Sequence, residues 1–244
     1  MNDQRDLEGI SALVTEATSG IGQAAAEELG RHGAELIVHG RDADRGFAVV
    51  DTITAAGGKA HFVAADLTDP AQVDYLANQA GAVDVLVNNA GFSWFGPTAD
   101  LDLATFDRLF AANVRAAYFL VAALAPKMAA RGNGSIINIA SMAGQIGLAG
   151  GAAYGATKAT LASMTRAWAA EFSPSGIRVN AIAAGPVLTN GAAPGRIEAL
   201  GATTLLARPA QPGEIASVIA FLASLKASYI TGAVIAADGG RTAI

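Results

Sequence analysis

The fold is decided by the stretch Val14-Thr15-Glu16-Ala17-Thr18-Ser19-Gly20-Ile21-Gly22, which joins an apolar run to a helical pattern. Glycines in such a strand-to-helix turn let the backbone approach a pyrophosphate. The free N–H groups and the positive dipole end of the helix attract the same group. Because a purely structural turn needs only one glycine, the pair at Gly20 and Gly22 predicts a phosphate-binding turn at the start of a βαβ unit.

Short β-rich apolar runs alternate with longer helical patterns along the chain, which is typical of βαβ units and a parallel sheet. We therefore predict an α/β fold: a Rossmann-type doubly wound sandwich with a seven-stranded parallel sheet, formed as a single domain over residues 1–244. The predicted strands are residues 10–14, 35–39, 60–64, 83–88, 134–140, 177–182 and 233–237. The predicted helices are residues 20–32, 43–56, 71–80, 103–131, 151–172 and 213–223.

Composition narrows the classes of function. The chain of 244 residues is 52% hydrophobic and 15% charged, so it can bury a large core. Its 16 Lys and Arg against 21 Asp and Glu give a net charge of −5, and no basic cluster predicts a nucleic-acid partner. The absence of cysteine excludes disulfides and thiolate chemistry. Because His32, His39 and His61 are scattered, they are interpreted as surface or strand-end residues, and no metal site is predicted.

The N-terminal stretch Met1 to Glu8 is polar and charged, unlike a secretory leader. No uncharged apolar run reaches the ~18 residues that a membrane span requires. These observations predict a soluble, cytoplasmic protein without a membrane partner.

Residues 186–211 mix Gly, Pro, Thr and apolar side chains without a clean period. A long irregular insertion in a compact domain is often a lid over a site. A plain surface loop is the alternative, but water would solvate its Leu188, Ile197, Leu200, Leu205 and Leu206 poorly. We therefore predict a substrate lid at about residues 186–211.

Tyr154 and Lys158 lie four residues apart in a helical pattern and therefore on one helix face. A nearby ammonium favours the phenolate and lowers the pKa of a tyrosine from about 10 toward the working pH. Because a tyrosine with a lowered pKa can act as an acid or base, the pair is a candidate for proton chemistry.

Polar residues lie at the ends of two predicted strands, beside the crevice that borders the carboxyl edge of a parallel sheet. Ser141 follows one strand, and Asn88 and Asn89 close another. Asn113 interrupts an otherwise apolar helical run, where a buried amide would need hydrogen-bond partners.

Together these motifs resemble the short-chain dehydrogenase/reductase family over essentially the whole chain, and the similarity extends to 3-oxoacyl-ACP reductase-like ketoreductases. The pattern Thr-Gly-x-x-x-Gly-x-Gly is matched at Thr15, Gly20 and Gly22. The Asn-Asn-Ala-Gly motif matches Asn88 to Gly91, and the Asn, Ser, Tyr, Lys tetrad matches Asn113, Ser141, Tyr154 and Lys158.

The resemblance implies a role for each tetrad residue in interconverting a ketone and a secondary alcohol. Tyr154 would protonate the carbonyl oxygen, or take the proton in the reverse direction, and Ser141 would hold the substrate oxygen. Lys158 would bind the nicotinamide ribose and depress the pKa of Tyr154. Asn113 would anchor a water that relays protons.

The resemblance also implies a set of NAD(P) contacts. Asp66 resembles the adenine contact, the turn that begins at Gly185 resembles the clasp on the nicotinamide carboxamide, and Asp238 begins a structural Asp-Gly-Gly signature. The implied contacts are Thr15, Thr18, Ser19, Gly20, Ile21, Gly22, Arg41, Asp66, Leu67, Asn89, Ala90, Gly91, Tyr154, Lys158, Pro186, Val187 and Thr189.

The chain departs from the family pattern at two positions, where Glu16 replaces the first motif glycine and Ala184 replaces a proline. If residue 16 needs a positive φ, glutamate costs on the order of 1–2 kcal/mol more than glycine. We therefore expect weakened cofactor binding on a preserved fold. In a second interpretation, the Glu16 carboxylate occupies the helix N-terminus as a surrogate phosphate.

The end of the second predicted strand favours NADP(H) over NAD(H). Gly40 stands where NAD users carry an acid for the ribose hydroxyl, and the following Arg41 can accept a 2′-phosphate. Glu16 opposes this preference, and a solvent-exposed turn capped by Arg41 is the alternative.

The sequence thus predicts an NAD(P)-dependent oxidoreductase that binds a hydrophobic ketone or secondary alcohol near Phe92, Trp94, Met142 and Leu188. Its apolar helices and the resemblance predict a homotetramer or homodimer. Two other classes remain open: a catalytically silent dinucleotide sensor or scaffold, which Glu16 favours, and a methyltransferase, which has no use for Tyr154 and Lys158.

Overall fold

The computed structural model describes residues 5–189 and 195–244. These residues form one seven-stranded sheet in the order β3-β2-β1-β4-β5-β6-β7, in which every neighbouring pair is parallel. The predicted doubly wound α/β fold is confirmed. The strands are β1 Ser11–Val14, β2 Glu35–Gly40, β3 Lys59–Ala64, β4 Val85–Asn88, β5 Gly134–Ser141, β6 Ile177–Ala184 and β7 Val234–Ala237.

Each predicted helix is present within a few residues of its expected bounds, and the structure adds a short helix at Arg196–Gly201. The helices are α1 Gly20–Arg31, α2 Ala43–Ala55, α3 Pro70–Ala80, α4 Leu103–Phe110, α5 Ala116–Arg131, α6 Ala152–Phe172, α7 Arg196–Gly201 and α8 Pro212–Ala223. One π-helical turn, Ala111–Arg115, joins α4 to α5, so the predicted helix 103–131 is continuous.

The sheet is covered on both faces, because successive strand residues point to opposite sides. Val14 packs with Leu29 of α1 and Ile219 of α8 on one face. Its neighbour Leu13 packs with residues of α3, α5 and α6 on the other. Both strand residues are completely buried, which explains why the strands are continuous apolar runs rather than alternating ones.

Strand β1 lies between β2 and β4, so the chain reverses its direction of progress across the sheet at this strand. Connections that leave toward opposite sides open a crevice at the carboxyl ends of the two central strands. Val14 is in register with Val87, which places the glycine-rich turn beside the Asn-Asn-Ala-Gly segment.

One helical stretch of the described chain, Leu103–Arg131, is long and apolar enough to cross a membrane by length and composition. The stretch contains charged residues such as Arg115, so it is not an uncharged apolar run of ~18 residues, and the sequence prediction that no such run exists stands. Within the stretch, Leu120, Leu124 and Met128 are buried against the sheet, so it serves as a core helix of the fold.

Arg178 on β6 supports the carboxyl end of α8 through several hydrogen bonds. Its guanidinium donates to the carbonyl oxygens of Leu222 at 2.7 Å, Ala223 at 3.3 Å and Ser224 at 3.2 Å. The last carbonyls of a helix have no partner within the helix. Arg178 therefore fixes α8 to the sheet.

We expect Arg178→Met to lower the free energy of unfolding by about 2 kcal/mol, because hydrogen bonds from a charged donor to these carbonyls are lost. Thermal denaturation of the variant and of Arg166→Met, which removes an exposed arginine from α6, measures the difference. Equal melting temperatures for the two variants would contradict this role for Arg178.

Candidate active site

A cavity of about 590 Å³ lies at the carboxyl edge of the sheet. This volume is within the range of small-molecule and cofactor sites. Its walls come from the glycine-rich turn, the ends of β4, β5 and β6, and helices α6 and α7. The predicted site residues that line it are Ser19, Gly20, Ile21, Asn89, Gly91, Ser141, Tyr154, Lys158, Pro186, Val187 and Thr189.

The glycine-rich turn is shaped for close approach of a phosphate. Helix α1 begins at Gly20, and within the described chain the Ser19 side chain does not cap it. The first-turn N–H groups are therefore available to an anion. A Cβ at Gly22 would collide with the carbonyl oxygen of Glu16 and the side-chain amide of Asn89. These features fit the pyrophosphate of a dinucleotide.

Thr15 is predicted as a cofactor contact, but it lies behind the cavity wall and does not line the cavity. Its buried hydroxyl donates to the carbonyl oxygen of Val87 at 3.2 Å and accepts from the N–H groups of Asn89 and Ala90, both at 2.9 Å. The hydroxyl therefore holds the end of β1 against the Asn-Asn-Ala-Gly segment.

Other predicted cofactor contacts also lie outside the cavity walls. Three of them are buried, Ala90 is partly buried, and two lie beyond Glu16 at the ends of β2 and β3. Asp66 accepts hydrogen bonds from the backbone N–H and hydroxyl of Thr68, and the backbone bond lowers the pKa of its carboxyl group. The contacts outside the walls, besides Thr15, are Thr18, Gly22, Leu67, Ala90, Arg41 and Asp66.

Glu16 adopts the left-handed conformation expected for the glycine that it replaces, with φ of +51°. Its N–H donates to Nδ1 of His39 at 3.1 Å, and Nε2 of His39 lies 3.1 Å from the carbonyl oxygen of Ala65. Because Nδ1 accepts, Nε2 carries the proton. Burial lowers the pKa of His39 to about 4, so the ring is neutral at physiological pH.

His39 is therefore a buried support for the turn, and its interpretation as a surface or strand-end residue was incomplete. It is the penultimate residue of β2, and its ring points inward and links the segments that follow β1 and β3. A lone histidine in a strand pattern carries no signal for this role. The hydrogen bond requires two turns from different parts of the chain to meet.

The Glu16 carboxylate lines the cavity and lies 3.7 Å from Nε of Arg41. Burial raises the pKa of Glu16, and the Arg41 charge opposes that shift. Among the described residues its ion pair is with Arg41 rather than with the first turn of α1, which disfavours the surrogate-phosphate interpretation. Glu16 thus competes for the arginine that was predicted to hold a 2′-phosphate.

Ser141 and Tyr154 meet in the cavity because β5 ends beside the first turn of α6. A hydrogen bond from Ser141 favours the phenolate, but burial dominates and raises the pKa of Tyr154. Close packing permits the approach, since a Cβ at Gly155 would lie 2.6 Å from the carbonyl oxygen of Ala143.

Lys158 does not lower the pKa of Tyr154 in this structure, which corrects the sequence expectation. Its Nζ lies 5.8 Å from the Tyr154 ring centroid and donates to the carbonyl oxygen of Ile139 at 2.8 Å. Burial lowers the pKa of Lys158 to about 8. The ammonium is therefore fixed by the strand and has a proton that is easily lost.

Asn113 lies in the π-helical turn, buried behind the cavity wall. Its Oδ1 accepts from the N–H of Phe92 at 3.0 Å. Its Nδ2 donates to the carbonyl oxygen of Phe92 and to Oγ1 of Thr157, each at 3.0 Å. The amide thus clamps the segment after Gly91 to α6, and π turns frequently occur at such functional positions.

The apolar wall differs in part from the prediction. Phe92 and Met142 line the cavity, as expected, whereas Trp94 packs over Gly96. Val187 pairs with Ala210 in a short β-bridge and lines the cavity, so its neighbour Leu188 points away from the cavity. The apolar side chains that complete the wall are Phe95, Leu148, Ile197 and Leu200.

The predicted lid, residues 186–211, includes residues 190–194, which lie outside the described part of the chain. Of its apolar side chains, Ile197 and Leu200 of α7 line the cavity. Leu205 and Leu206 are exposed, contrary to the expectation that they would avoid water.

Ala184, which replaces a proline of the family pattern, lines the cavity as the last residue of β6. The next residue, Gly185, lies so close to Asp238 that a Cβ there would be 2.6 Å from the Asp238 Cα. Asp238 accepts from the N–H groups of Gly240 and Thr242, both at 2.9 Å. The late Asp-Gly-Gly signature therefore supports this turn.

Comparisons with known proteins agree with the geometry. A family model described as enoyl-(acyl carrier protein) reductase matches residues 16–242. A cis-4-hydroxycyclohexanecarboxylate dehydrogenase of Sinomonas cyclohexanicum is 38% identical over 241 residues, covering 96% of each chain. A cyclopentanol dehydrogenase of Comamonas sp. is 35% identical, covering 95% of this chain and 96% of the relative.

A solved structure with bound NADP, assigned as an NAD(P)-dependent gluconate 5-dehydrogenase from Beutenbergia cavernae, superposes with a TM-score of 0.93. The two sequences are 38% identical, and the match covers 98% of this chain and 99% of the other.

We expect Lys158→Met to stabilise the protein at neutral pH, because burying the ammonium opposes folding. The pKa of Lys158 is about 8 in the folded protein against 10.5 unfolded, which sets an upper limit of about 3 kcal/mol at 1.36 kcal/mol per pKa unit. The gain is complete below pH 8 and disappears as the pH rises to 10.5. Chemical denaturation across this range tests it, and a gain independent of pH would contradict it.

We expect Glu16→Gly to tighten NADPH binding by about tenfold, or ~1.4 kcal/mol, because it relieves the positive φ and frees Arg41. Glu16→Gln removes the charge while keeping the strain, so it separates the two contributions. Calorimetric dissociation constants are compared with those of Glu171→Gln, an exposed control on α6. An unchanged constant for Glu16→Gly would refute the idea that Glu16 weakens cofactor binding.

Proposed function

The chain belongs to the short-chain dehydrogenase/reductase family, and we propose that this oxidoreductase interconverts a ketone and a secondary alcohol with Tyr154 as the proton donor and acceptor. The observation that carries the proposal is the meeting of Ser141, Tyr154 and Lys158 in one cavity with the glycine-rich turn. A phenol, a hydroxyl and an ammonium thus line one cavity with the glycine-rich turn, which supports the proposed roles.

The cofactor is a nicotinamide dinucleotide, which when bound would supply or accept the hydride. Ser19 to Ile21 would hold its pyrophosphate, and Lys158 and Pro186 to Thr189 lie where the nicotinamide half would rest. Arg41 would hold the 2′-phosphate of NADP(H), which we propose as the preferred form. The NADP bound to the gluconate 5-dehydrogenase-like structure supports that preference, and Glu16 opposes it.

In the reductive direction Tyr154 acts as the acid. Its raised pKa keeps the phenol protonated at neutral pH, so it can donate a hydrogen bond to the carbonyl oxygen of the substrate. The Ser141 hydroxyl also donates to that oxygen and holds it in place. When the proton moves to the substrate, the hydrogen bond from Ser141 stabilises the phenolate that remains.

In the oxidative direction Tyr154 must first lose its proton. Burial holds the pKa of Tyr154 above its usual value, so a proton acceptor has to take the proton from the phenol. Lys158 beside it is held in place by the carbonyl oxygen of Ile139. We propose that Asn113 anchors a water that relays the proton to solvent. Residues 186–211 act in this proposal as the substrate lid, with Ile197 and Leu200 as its apolar lining.

No observation favours the alternative classes. A silent sensor has no need for the acid, the hydroxyl and the lysine to be brought together, and a methyltransferase has no use for them. Glu16, which suggested the sensor, retains the backbone geometry of the glycine it replaces. The homotetramer or homodimer remains a prediction, supported by half-exposed aromatic side chains on α5, Tyr118 and Phe119.

We expect Tyr154→Phe to reduce turnover by about 10²–10⁴-fold, the usual contribution of a general acid or base. The assay follows the absorbance of reduced nicotinamide with a panel of cyclic ketones and alcohols. Tyr118→Phe, which alters a tyrosine on α5 outside the cavity walls, is the matched control. Wild-type turnover by Tyr154→Phe would exclude Tyr154 as the acid.

A further inference from the structure

Arg196 brings a positive charge to the substrate end of the cavity. It is the first residue of α7 and lines the cavity together with Ile197 and Leu200. Its Cζ lies 3.8 Å from the ring centroid of Phe95, whose ring is 5.5 Å from that of Tyr154. The distance from the Arg196 guanidinium to the Tyr154 ring is therefore at most the sum of these two distances.

The charges of the other wall residues already have partners. Glu16 pairs with Arg41, and Lys158 donates to the carbonyl oxygen of Ile139. Arg41, Arg45, Arg131 and Arg208 each pair with a carboxylate, whereas within residues 5–189 and 195–244 no carboxylate lies within 4.0 Å of the guanidinium of Arg196. The substrate end of the cavity thus has a cation without an internal counter-ion.

The ring of Phe95 fixes this cation without neutralising it. A guanidinium stacked on an aromatic face keeps its N–H edges available in the plane. Those edges match the two oxygens of a carboxylate, which accepts a pair of parallel hydrogen bonds. Arginine remains protonated at all working pH values, so the site is positive throughout.

We propose that Arg196 selects substrates with a carboxylate, so that the enzyme acts on hydroxy acids and keto acids. This inference rests on the proposed function. The carbonyl or alcohol carbon lies at Tyr154, the carboxylate binds Arg196, and a short apolar body between them packs on Phe95, Ile197 and Leu200. The sequence expectation of a plainly hydrophobic substrate is thereby refined to an apolar body with an anionic end.

The test compares a keto acid with a neutral compound of the same shape. With NADPH, the reduction of 4-oxocyclohexanecarboxylate and of 4-oxocyclohexanecarboxamide is measured for wild type, Arg196→Gln and Arg196→Lys. We expect wild type to show a kcat/KM at least about tenfold higher for the acid, the scale of a charge-assisted hydrogen bond. Arg196→Gln abolishes this preference, because it raises KM for the acid about tenfold more than KM for the amide, and Arg196→Lys retains part of the preference.

Two controls separate recognition from structure. Arg166→Gln alters another exposed arginine, on α6, and should keep the wild-type preference. Added salt should lower kcat/KM for the acid more than for the amide, because it screens an exposed charge.

Equal kcat/KM for acid and amide in wild type, or an equal loss of both in Arg196→Gln, would overturn the role of Arg196 while the proposed function stands. If neither compound is reduced, calorimetry with the NADP⁺ complex still decides the role of Arg196. Tighter binding of the acid than of the amide, lost in Arg196→Gln, supports it, and equal binding overturns it. The proposed function fails separately, if no ketone in the cyclic panel is reduced.

Discussion

The buried hydroxyl of Thr15 is the contact on which the site depends. It joins the ends of β1 and β4 by accepting from two successive N–H groups, those of Asn89 and Ala90. These ends border the crevice where the chain reverses direction across the sheet. Gly22 allows α1 to pack onto the same turn, because any Cβ would collide with Glu16 and Asn89. Backbone groups on both sides are therefore fixed before any ligand arrives.

Burial controls the chemistry of the side chains around this frame. It raises the pKa of Tyr154, lowers that of Lys158 to about 8 and keeps His39 neutral. The first two effects keep the phenol protonated and make the ammonium the more acidic of the two groups. The third makes a histidine into a fixed acceptor for the Glu16 N–H. Burial thus sets the protonation states of Tyr154 and Lys158, and it also keeps His39 neutral as the acceptor that holds the turn at Glu16.

Charge is distributed unevenly along the cavity. At the end beyond the glycine-rich turn, the Glu16 carboxylate forms an ion pair with Arg41. A dinucleotide phosphate must therefore compete with that carboxylate for the arginine. At the other end, Arg196 stacks on Phe95, whose ring lies 5.5 Å from that of Tyr154. The charge of Arg41 is thus compensated by Glu16 at one end, whereas Arg196 is positive at the other. Separate substitutions can alter the charge at each end.

The sequence by itself determined the sheet, because a doubly buried parallel strand must be a continuous apolar run and a helix must repeat about every 3.6 residues. Helical spacing also predicted that Tyr154 and Lys158 share a face, and the end of a strand predicted Ser141 at the sheet edge, and all three line one cavity. Only the tertiary structure decided the roles of His39, Thr15 and Arg196. Each acts through a partner distant in sequence, at Glu16, at Asn89 and at Phe95, and local patterns do not encode such contacts.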